Sequence, residues 1–342
     1  AAAGGVTSLC SLPDTLPVLD TPAVAELILD RCEQAGQVRV FPYGALTRGL
    51  GGEHLSELVA LRDVGCVAFT QGLAPMKSNR ILRRALEYAA GFDLPVVFMP
   101  QDPDIAEGGS AHEGATAARM GLVGIPETAE TVALARDLLL VEQTGVQAHF
   151  SGLTSARAMD MLADAQARGL RVSADVAMYQ LLLCDEDLEG FSSLLHVQPP
   201  LRSKQDRHAL RQAVQSGVVQ AIASHHQPHE QEAKRVPFAA SAPGISSVEI
   251  LLPLALTLVA DGLLELPALL ARLTCGPARA LNLPVGTISL HERADITLFD
   301  PVAASLIGHN WLSKGANCPF IGQGAPCKVT HTISNGKLVY QA

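Results

Sequence analysis

Three histidines follow the apolar run 219–224 within five residues, in the order His225-His226-Gln227-Pro228-His229. Imidazole is the commonest protein ligand for zinc, so histidines at a strand end could supply half of a mononuclear or binuclear metal site. The alternative is that the cluster is ordinary polar surface on a loop. The elements that carry these and other polar residues must distinguish the two interpretations.

Short apolar runs alternate with helical periodicity along most of the chain, which is typical of β-α units that feed a parallel sheet. The strands are predicted at Val6–Leu12, Val38–Tyr43, Cys66–Thr70, Pro95–Met99, Val146–Phe150, Val172–Val176 and Val219–Ser224. Helices are predicted at Pro22–Ala35, Leu55–Asp63, Arg80–Ala90, Glu127–Thr144, Ala156–Arg168 and Asp206–Ser216, where apolar residues recur every three or four positions.

The predicted strands are one short of a closed barrel. If one more strand preceded Ala1, the units would form a (β/α)8 TIM barrel, whose active sites lie at the carboxyl ends of the strands. His225 and His226 occupy such an end. A loop at Gln227–Ser241, expected to be mobile and solvated, and an apolar helical region at Val248–Leu283 follow.

The composition changes near residue 285. Strands are predicted at Gly286–Ile288, Ala294–Asp300 and Val329–Tyr340, and Asn335-Gly336 is a strong signal for a type I′ hairpin turn. We therefore predict two domains: residues 1–284 as a barrel without its first strand, with a helical C-terminal extension, and residues 285–342 as a small β-domain that completes a composite β-sandwich.

The charge balance excludes several classes of partner. The 342 residues include 25 basic and 34 acidic side chains, a formal net charge of -9, so nucleic acid and anionic membrane surfaces are poor candidates. The apolar run 250–260 is too short to span a bilayer and is predicted to be a core helix. Seven scattered cysteines without a C-x-x-C pair indicate neither a disulfide framework nor a zinc ribbon, which favours a reducing cytoplasm.

Several motifs in order resemble the dihydroorotases of the amidohydrolase superfamily, over nearly the whole chain. They are Ala2-Ala3-Gly4-Gly5-Val6-Thr7, Pro13-Asp14-Thr15, Gly65-Cys66-Val67-Ala68-Phe69-Thr70, Pro199-Pro200-Leu201-Arg202, Ala294-Asp295-Ile296-Thr297-Leu298-Phe299-Asp300-Pro301 and the 333–340 hairpin. The resemblance implies an amidohydrolase-type barrel with an appended β-domain. It also implies one or two zinc ions in active members, held by an H-x-H pair on a first strand that would precede Ala1.

Several positions that the resemblance marks as metal ligands carry other residues here. Gln71 stands where relatives have the aspartate of F-T-D-D-G, and Met99 stands where they have the histidine of H-C-E-D. Gly152 stands at a ligand histidine of H-x-x-H-V-S, while His149 matches the other histidine and is expected to be a satisfied core residue. A neutral amide, a thioether and a glycine are poor replacements for anionic or imidazole ligands.

The histidine cluster itself aligns with T-D-H-A-P-H, which puts His225 where the relatives have the catalytic aspartate. Histidine can act as a base, but it adds no negative charge to offset Zn²⁺. His226 and His229 match histidines of the relatives. Asp14 replaces the asparagine that contacts the substrate carboxylate, and two carboxylates repel by about 1 kcal/mol at ~4 Å even in water. Asp14 as a simple turn residue remains the alternative.

These replacements predict a pseudoenzyme with no catalytic residue, metal or cofactor, in which Asp14, Gln71, Met99, Gly152, His225, His226 and His229 are vestigial. The resemblance implies a role as an inactive subunit that assembles with the catalytic subunit of aspartate carbamoyltransferase in pyrimidine biosynthesis, as a homodimer within a larger hetero-oligomer. Two alternatives stay open. One is a metal-dependent cyclic-amide hydrolase that uses His149, His225, His226 and His229, and the other is a sensor that binds a pathway metabolite in the old pocket.

Overall fold

Parallel strands and the helices between them build most of the molecule, which is described here from a computed structural model covering residues 1–303, 305–308 and 311–342. The strands are β1 (Ser8–Ser11), β2 (Arg39–Ala45), β3 (Ala68–Thr70), β4 (Val96–Phe98), β5 (Ala111–His112), β6 (Gly124–Ile125), β7 (Ala148–Phe150), β8 (Val172–Ala177), β9 (Ala221–Ala223), β10 (Ile296–Asp300), β11 (Ser305–Leu306), β12 (Gly324–Ala325), β13 (Lys328–Ser334) and β14 (Lys337–Gln341).

Helices follow the strands in the predicted alternation. They are α1 (Pro22–Ala35), α2 (Leu58–Val64), α3 (Asn79–Gly91), α4 (Ala115–Met120), α5 (Glu127–Thr144), α6 (Ala156–Ala167), α7 (Lys204–Ser216), α8 (Leu251–Ala260), α9 (Leu266–Leu273) and α10 (Cys275–Ala280). Glycine ends α1, α5 and α7 in the left-handed conformation, where only a residue without Cβ escapes steric strain. Among the described residues, no helix is long and apolar enough to cross a membrane.

All seven predicted barrel strands form, and they make one parallel sheet in the order β1-β2-β3-β4-β7-β8-β9. Within the described residues this sheet is open between β1 and β9. Helices cover it, and a continuous core that includes Phe69, Phe150 and Leu86 fills the space between the sheet and the helices. The fold is that of a (β/α)8 barrel, as predicted, with the carboxyl ends of the parallel strands gathered at one edge.

A second, antiparallel sheet is formed by β10, β13 and β14, and Asn335 and Gly336 in its hairpin turn both have positive φ, as predicted. The Arg39 guanidinium pairs with Asp295 at 2.8 Å, which fastens this small sheet to the start of β2. The predicted strand at 286–288 is wrong. Gly286 has φ +88 and lies against the backbone of residues 274–275, while Ile288 is exposed, so this short run turns and pairs with no strand among the described residues.

The loop predicted at 227–241 is exposed at most positions from 228 to 240, as expected for a solvated segment, but two side chains in that stretch are buried. Residues Gln231–Lys234 and Phe238–Ala240 form short helical turns, and Lys234 and Phe238 are buried. The Lys234 ammonium donates to the backbone oxygens of Ser193 and His196, at 3.1 and 3.2 Å. The Phe238 ring packs on the His196 ring, with centroids 4.8 Å apart. Apolar contact and a buried amine thus hold the loop against the 193–196 segment.

Burial lowers the pKa of Lys234 to about 8. A lysine in the unfolded chain has a pKa near 10.4. Between about pH 8 and pH 10.4 the unfolded chain therefore binds more protons than the folded chain, so the free energy of unfolding rises with pH. We expect the free energy of unfolding of wild type, relative to Lys234→Met at the same pH, to increase by on the order of 2 kcal/mol from pH 7.5 to 10. Urea titrations across this range test it. A flat difference between the two proteins would show that Lys234 stays charged.

Candidate functional site

A buried carboxylate, Asp175, organises the polar residues at the carboxyl edge of the main sheet. The register pairs His149 of β7 with Ser173 of β8, and because alternate residues of a strand face the same side, Ser173 and Asp175 both face His149. The His149 ring bridges them: Nδ1 lies 2.8 Å from Ser173 Oγ, and Nε2 lies 2.9 Å from Asp175 Oδ2. His149 is buried and fully hydrogen-bonded, as expected for a satisfied core histidine.

His225 approaches the same carboxylate from the end of β9. Its Nε2 lies 2.7 Å from Asp175 Oδ1, and the Gly152 backbone N–H donates to that oxygen at 3.0 Å. Asp175 therefore accepts three hydrogen bonds, two from imidazoles and one from the main chain. His225 reaches this position with φ +46, a left-handed conformation that histidine adopts more readily than most residues.

The His225 ring lies directly over Gly152. A Cβ at residue 152 would sit 2.9 Å from His225 Cε1, and Gly152 has φ +72. The space of a ligand side chain at residue 152 is therefore filled by an imidazole that belongs to another strand. The replacements at 152 and 225 depend on each other, which the sequence alone does not reveal.

The electrostatics of this cluster hold Asp175 in its ionised form. Burial by itself would raise the pKa of Asp175, but the charge of His225 and the hydrogen bonds from His149 and His225 hold that pKa well below its ordinary value. A general base works best when its pKa is near the working pH, so a carboxylate this acidic is a weak proton acceptor. In this arrangement Asp175 orients two imidazoles.

Cys10 and Tyr43 extend the buried polar cluster toward β1 and β2. Burial raises the pKa of the Cys10 thiol to about 11, and the nearby Asp175 charge acts in the same direction, against the hydrogen bond to Tyr43. Burial, with Cys10 and Asp175 beside it, also raises the pKa of Tyr43. Because only a thiolate is a good nucleophile or metal ligand, Cys10 remains inert at neutral pH.

The other two histidines of the opening motif turn away from Asp175. His226 Nδ1 accepts the backbone N–H groups of Ser247 and Val248, at 3.0 and 3.2 Å, and burial lowers the pKa of His226, which keeps this acceptor unprotonated. His229 Nε2 donates to the Pro243 carbonyl at 2.9 Å. Both rings hold the 243–248 segment in place.

Gln71 is also engaged by its own chain. Its Oε1 accepts from the Thr47 hydroxyl and its Nε2 donates to the Leu50 carbonyl, both at 2.8 Å, and the side chain is buried. This amide fastens the loop after β2 to the end of β3. Met99 is half-buried immediately after β4, and Asp14 is exposed in the loop after β1.

We expect Gln71→Glu to lower the free energy of unfolding by about 2 kcal/mol at neutral pH, because an ionised carboxylate cannot donate to Leu50 and is buried. Burial raises the pKa of a glutamate. The loss of stability in the variant should therefore begin as the pH rises through about 4.3, the pKa of an unfolded glutamate. Below that pH the loss should shrink, because the protonated side chain of the variant can donate to the Leu50 carbonyl. Chemical denaturation at several pH values measures this. The exposed change Glu53→Gln serves as a control, and a pH-independent loss would contradict the argument.

A zinc site does not fit these residues as they stand. Among the described residues, no group of three or more His, Cys, Asp or Glu side chains is arranged to hold a metal ion. Metal binding needs a free lone pair, yet both ring nitrogens of His149 are hydrogen-bonded, to Ser173 and to Asp175. The structure thus brings together His149, Gly152 and His225, and separates them from Gln71, His226 and His229.

Sequence reasoning missed Asp175, the centre of the cluster. The signal was present, since Asp175 is the one acidic residue in the predicted strand 172–176, between alanine and valine. A carboxylate inside a buried strand requires donors from neighbouring strands. Which donors satisfy it depends on the strand register.

Comparison with known proteins agrees with the fold and with the motifs. A family model described as dihydro-orotase-like matches residues 1–158. The chain is 67% identical over 341 residues to a dihydroorotase-like protein of Pseudomonas aeruginosa, covering 100% of this chain and 81% of that protein. It is 63% identical to a dihydroorotase-like protein of Pseudomonas putida, covering 99% of this chain and 80% of that protein.

More distant relatives carry a different name. The chain is 40% identical to a dihydroorotase of Syntrophobacter fumaroxidans, covering 99% of this chain and 78% of that protein. Among solved structures, an L-hydantoinase from Arthrobacter aurescens superposes with a TM-score of 0.85 at 22% identity, covering 99% of this chain and 78% of that one, which shows a shared fold. The motifs, the fold and the similarity over the whole of this chain together establish that the chain belongs to the dihydroorotase-like family.

Proposed function

We propose that this chain is a non-catalytic member of the family. The observation that carries the proposal is the position of His225, which replaces the catalytic aspartate that the family resemblance implies and is held on Asp175 across Gly152. The engagement of Gln71 by Thr47 and Leu50 adds support, because a side chain with two internal partners is not directed at a substrate.

The proposed role is that of a cytoplasmic subunit that scaffolds or stabilises the aspartate carbamoyltransferase catalytic subunit in pyrimidine biosynthesis, as a homodimer within a larger hetero-oligomer. The family resemblance is the argument for this partner. A barrel whose former site is closed by internal hydrogen bonds can keep its outer surface for assembly, because a fold does not require a chemistry.

Two measurements on the purified full-length protein test the proposal. We expect no hydrolysis or formation of dihydroorotate above background, and substoichiometric zinc by elemental analysis. Turnover that depends on added metal would refute the non-catalytic assignment. Co-purification with the aspartate carbamoyltransferase of the same organism tests the scaffold role separately, and failure to associate would count against it without restoring an activity.

A metal-dependent cyclic-amide hydrolase remains the second candidate, and one observation favours it: two imidazoles and a carboxylate converge at adjacent strand ends. If His225 and Asp175 rearranged, these groups could become ligands. Elemental analysis of wild type and His225→Ala distinguishes the candidates. The hydrolase hypothesis requires bound metal in wild type and its loss in the variant, whereas the non-catalytic proposal expects no metal in either protein.

A further inference from the structure

A cavity of about 580 Å³ lies between the loop that carries β5 and α4 and the start of α7, and no residue of the histidine cluster lines it. Its lining comes from three segments of chain, namely 112–119, 185–186 and 203–205. Cavities of about 300–1,000 Å³ are typical of sites for small molecules. The inference drawn from this cavity does not depend on the proposed function.

The acidic turn 185–187 contributes one unusual carboxylate to this cavity. Glu186 pairs with the Lys204 ammonium at 2.6 Å, and Asp187 accepts the Cys184 backbone N–H at 2.8 Å. Asp185 lines the cavity and is 8% exposed, yet within the described part of the chain its carboxylate has neither a hydrogen-bond nor an ion-pair partner. A buried carboxylate without donors is costly, so Asp185 is positioned to receive a donor from the cavity.

The backbone fixes Asp185 in this position, because its N–H donates to the Arg202 carbonyl at 2.8 Å. The Arg202 side chain lies behind the cavity wall and is 3% exposed. Its guanidinium donates to the Ile125 carbonyl at 3.0 Å and to His112 Nδ1, 3.2 Å away, and no carboxylate of the described residues lies within ion-pair distance of it. Burial, together with Arg202, lowers the pKa of His112, so the ring stays neutral and accepts this bond.

Two more cations line the cavity itself. Arg119 forms an ion pair with Glu189 at 2.9 Å, and Lys204 forms one with Glu186 at 2.6 Å. Both pairs are exposed, and exposed ion pairs exchange partners at little cost. The cavity therefore places an unsatisfied carboxylate, Asp185, in the same lining as two cations whose glutamate partners are exposed. A divalent cation is a poor match, because it needs several oxygen ligands and Glu186 is already paired.

We propose that this cavity binds a small zwitterion of the free α-amino acid class. The ammonium group of the ligand donates to Asp185, and its carboxylate faces Arg119 and Lys204. This orientation satisfies the one buried acid that the turn leaves without a donor. It also places the carboxylate of the ligand beside the two cations of the lining, Arg119 and Lys204.

Thermal unfolding of the full chain with each of the twenty common L-amino acids, at about 10 mM, tests the proposal. We expect at least one to raise the Tm by about 2 °C or more, and its N-acetyl derivative, which lacks the ammonium, to have no effect. Calorimetric titration should then give an affinity at least about tenfold weaker for Asp185→Asn, since a charged hydrogen bond is lost. Asp30→Asn, an exposed change on α1, should bind like wild type.

Three results would overturn the proposal: no amino acid stabilises wild type, the acetylated compound binds equally well, or Asp185→Asn keeps full affinity. Stability without ligand is a separate check. Asp185→Asn should melt at or above the wild-type temperature, because it removes a buried charge that lacks a donor. If the Tm of the variant without ligand fell by several degrees, the Asp185 carboxylate would be stabilising the folded chain, which also contradicts the proposal.

Discussion

Replacing Asp175 by asparagine is expected to lower the free energy of unfolding by about 3 kcal/mol at neutral pH. Asp175 accepts hydrogen bonds from His149, His225 and the Gly152 backbone, at 2.7 to 3.0 Å. An amide of the same shape has one acceptor oxygen, and its NH₂ group would face at least one of these donors. The variant thus loses the buried charge and leaves a donor without a partner, which costs more than losing both partners of a hydrogen bond.

Urea denaturation at pH 7 measures the effect, and Asp160→Asn is the matched control because Asp160 is exposed on α6. The control should change stability by less than about 0.5 kcal/mol. Since the folded-state pKa of Asp175 is depressed, its contribution is present above the unfolded pKa of about 3.9 and is lost as the pH falls toward the folded value. The difference in the free energy of unfolding between wild type and variant should therefore become smaller at acidic pH. A loss below about 1 kcal/mol at pH 7 would mean that Asp175 is not the centre of the cluster.

Gly152→Ala is expected to cost about 2–3 kcal/mol, from two separate causes. Gly152 has φ +72, where a Cβ is strained, and the new Cβ would lie 2.9 Å from His225 Cε1. The His225 ring cannot easily retreat, because its Nε2 is hydrogen-bonded to Asp175. Chemical denaturation of the variant gives the total cost.

A double-mutant cycle with His225→Ala separates the two causes. In the His225→Ala background, Gly152→Ala should cost only the backbone strain, about 1 kcal/mol, and the remainder is the steric coupling of residues 152 and 225. Gly262→Ala controls for strain alone, because Gly262 has φ +71 and nothing within 4 Å of its Cβ position. Equal costs in the two backgrounds would show that the imidazole does not occupy this space.

The coupling of residues 152 and 225 bears on how the site can be altered. Restoring a histidine at 152 alone would drive its side chain into the ring of His225, and restoring an aspartate at 225 alone would place two carboxylates near each other at Asp175. Either single reversal is therefore expected to destabilise the cluster.

Local signals in the sequence predicted the barrel well. Apolar runs bounded by glycine gave all seven strands of the main sheet, and helix α5 has the predicted bounds Glu127–Thr144. These elements follow from periodicity and from glycine at helix ends, which act over a few residues. The strand expected at 286–288 failed because a strand also needs a partner, and pairing is decided by chain segments far apart in sequence.

The sequence by itself determined which residue types stand at the strand ends: glutamine at 71, methionine at 99, glycine at 152 and histidine at 225. Only the tertiary structure decided where their side chains are directed. The register of β7 on β8 places His149 beside Asp175, and the turn after β9 places the His225 ring over Gly152. Side-chain hydrogen bonds join residues 24 to 50 positions apart here, and such pairings depend on strand order and register, which no short stretch of sequence encodes.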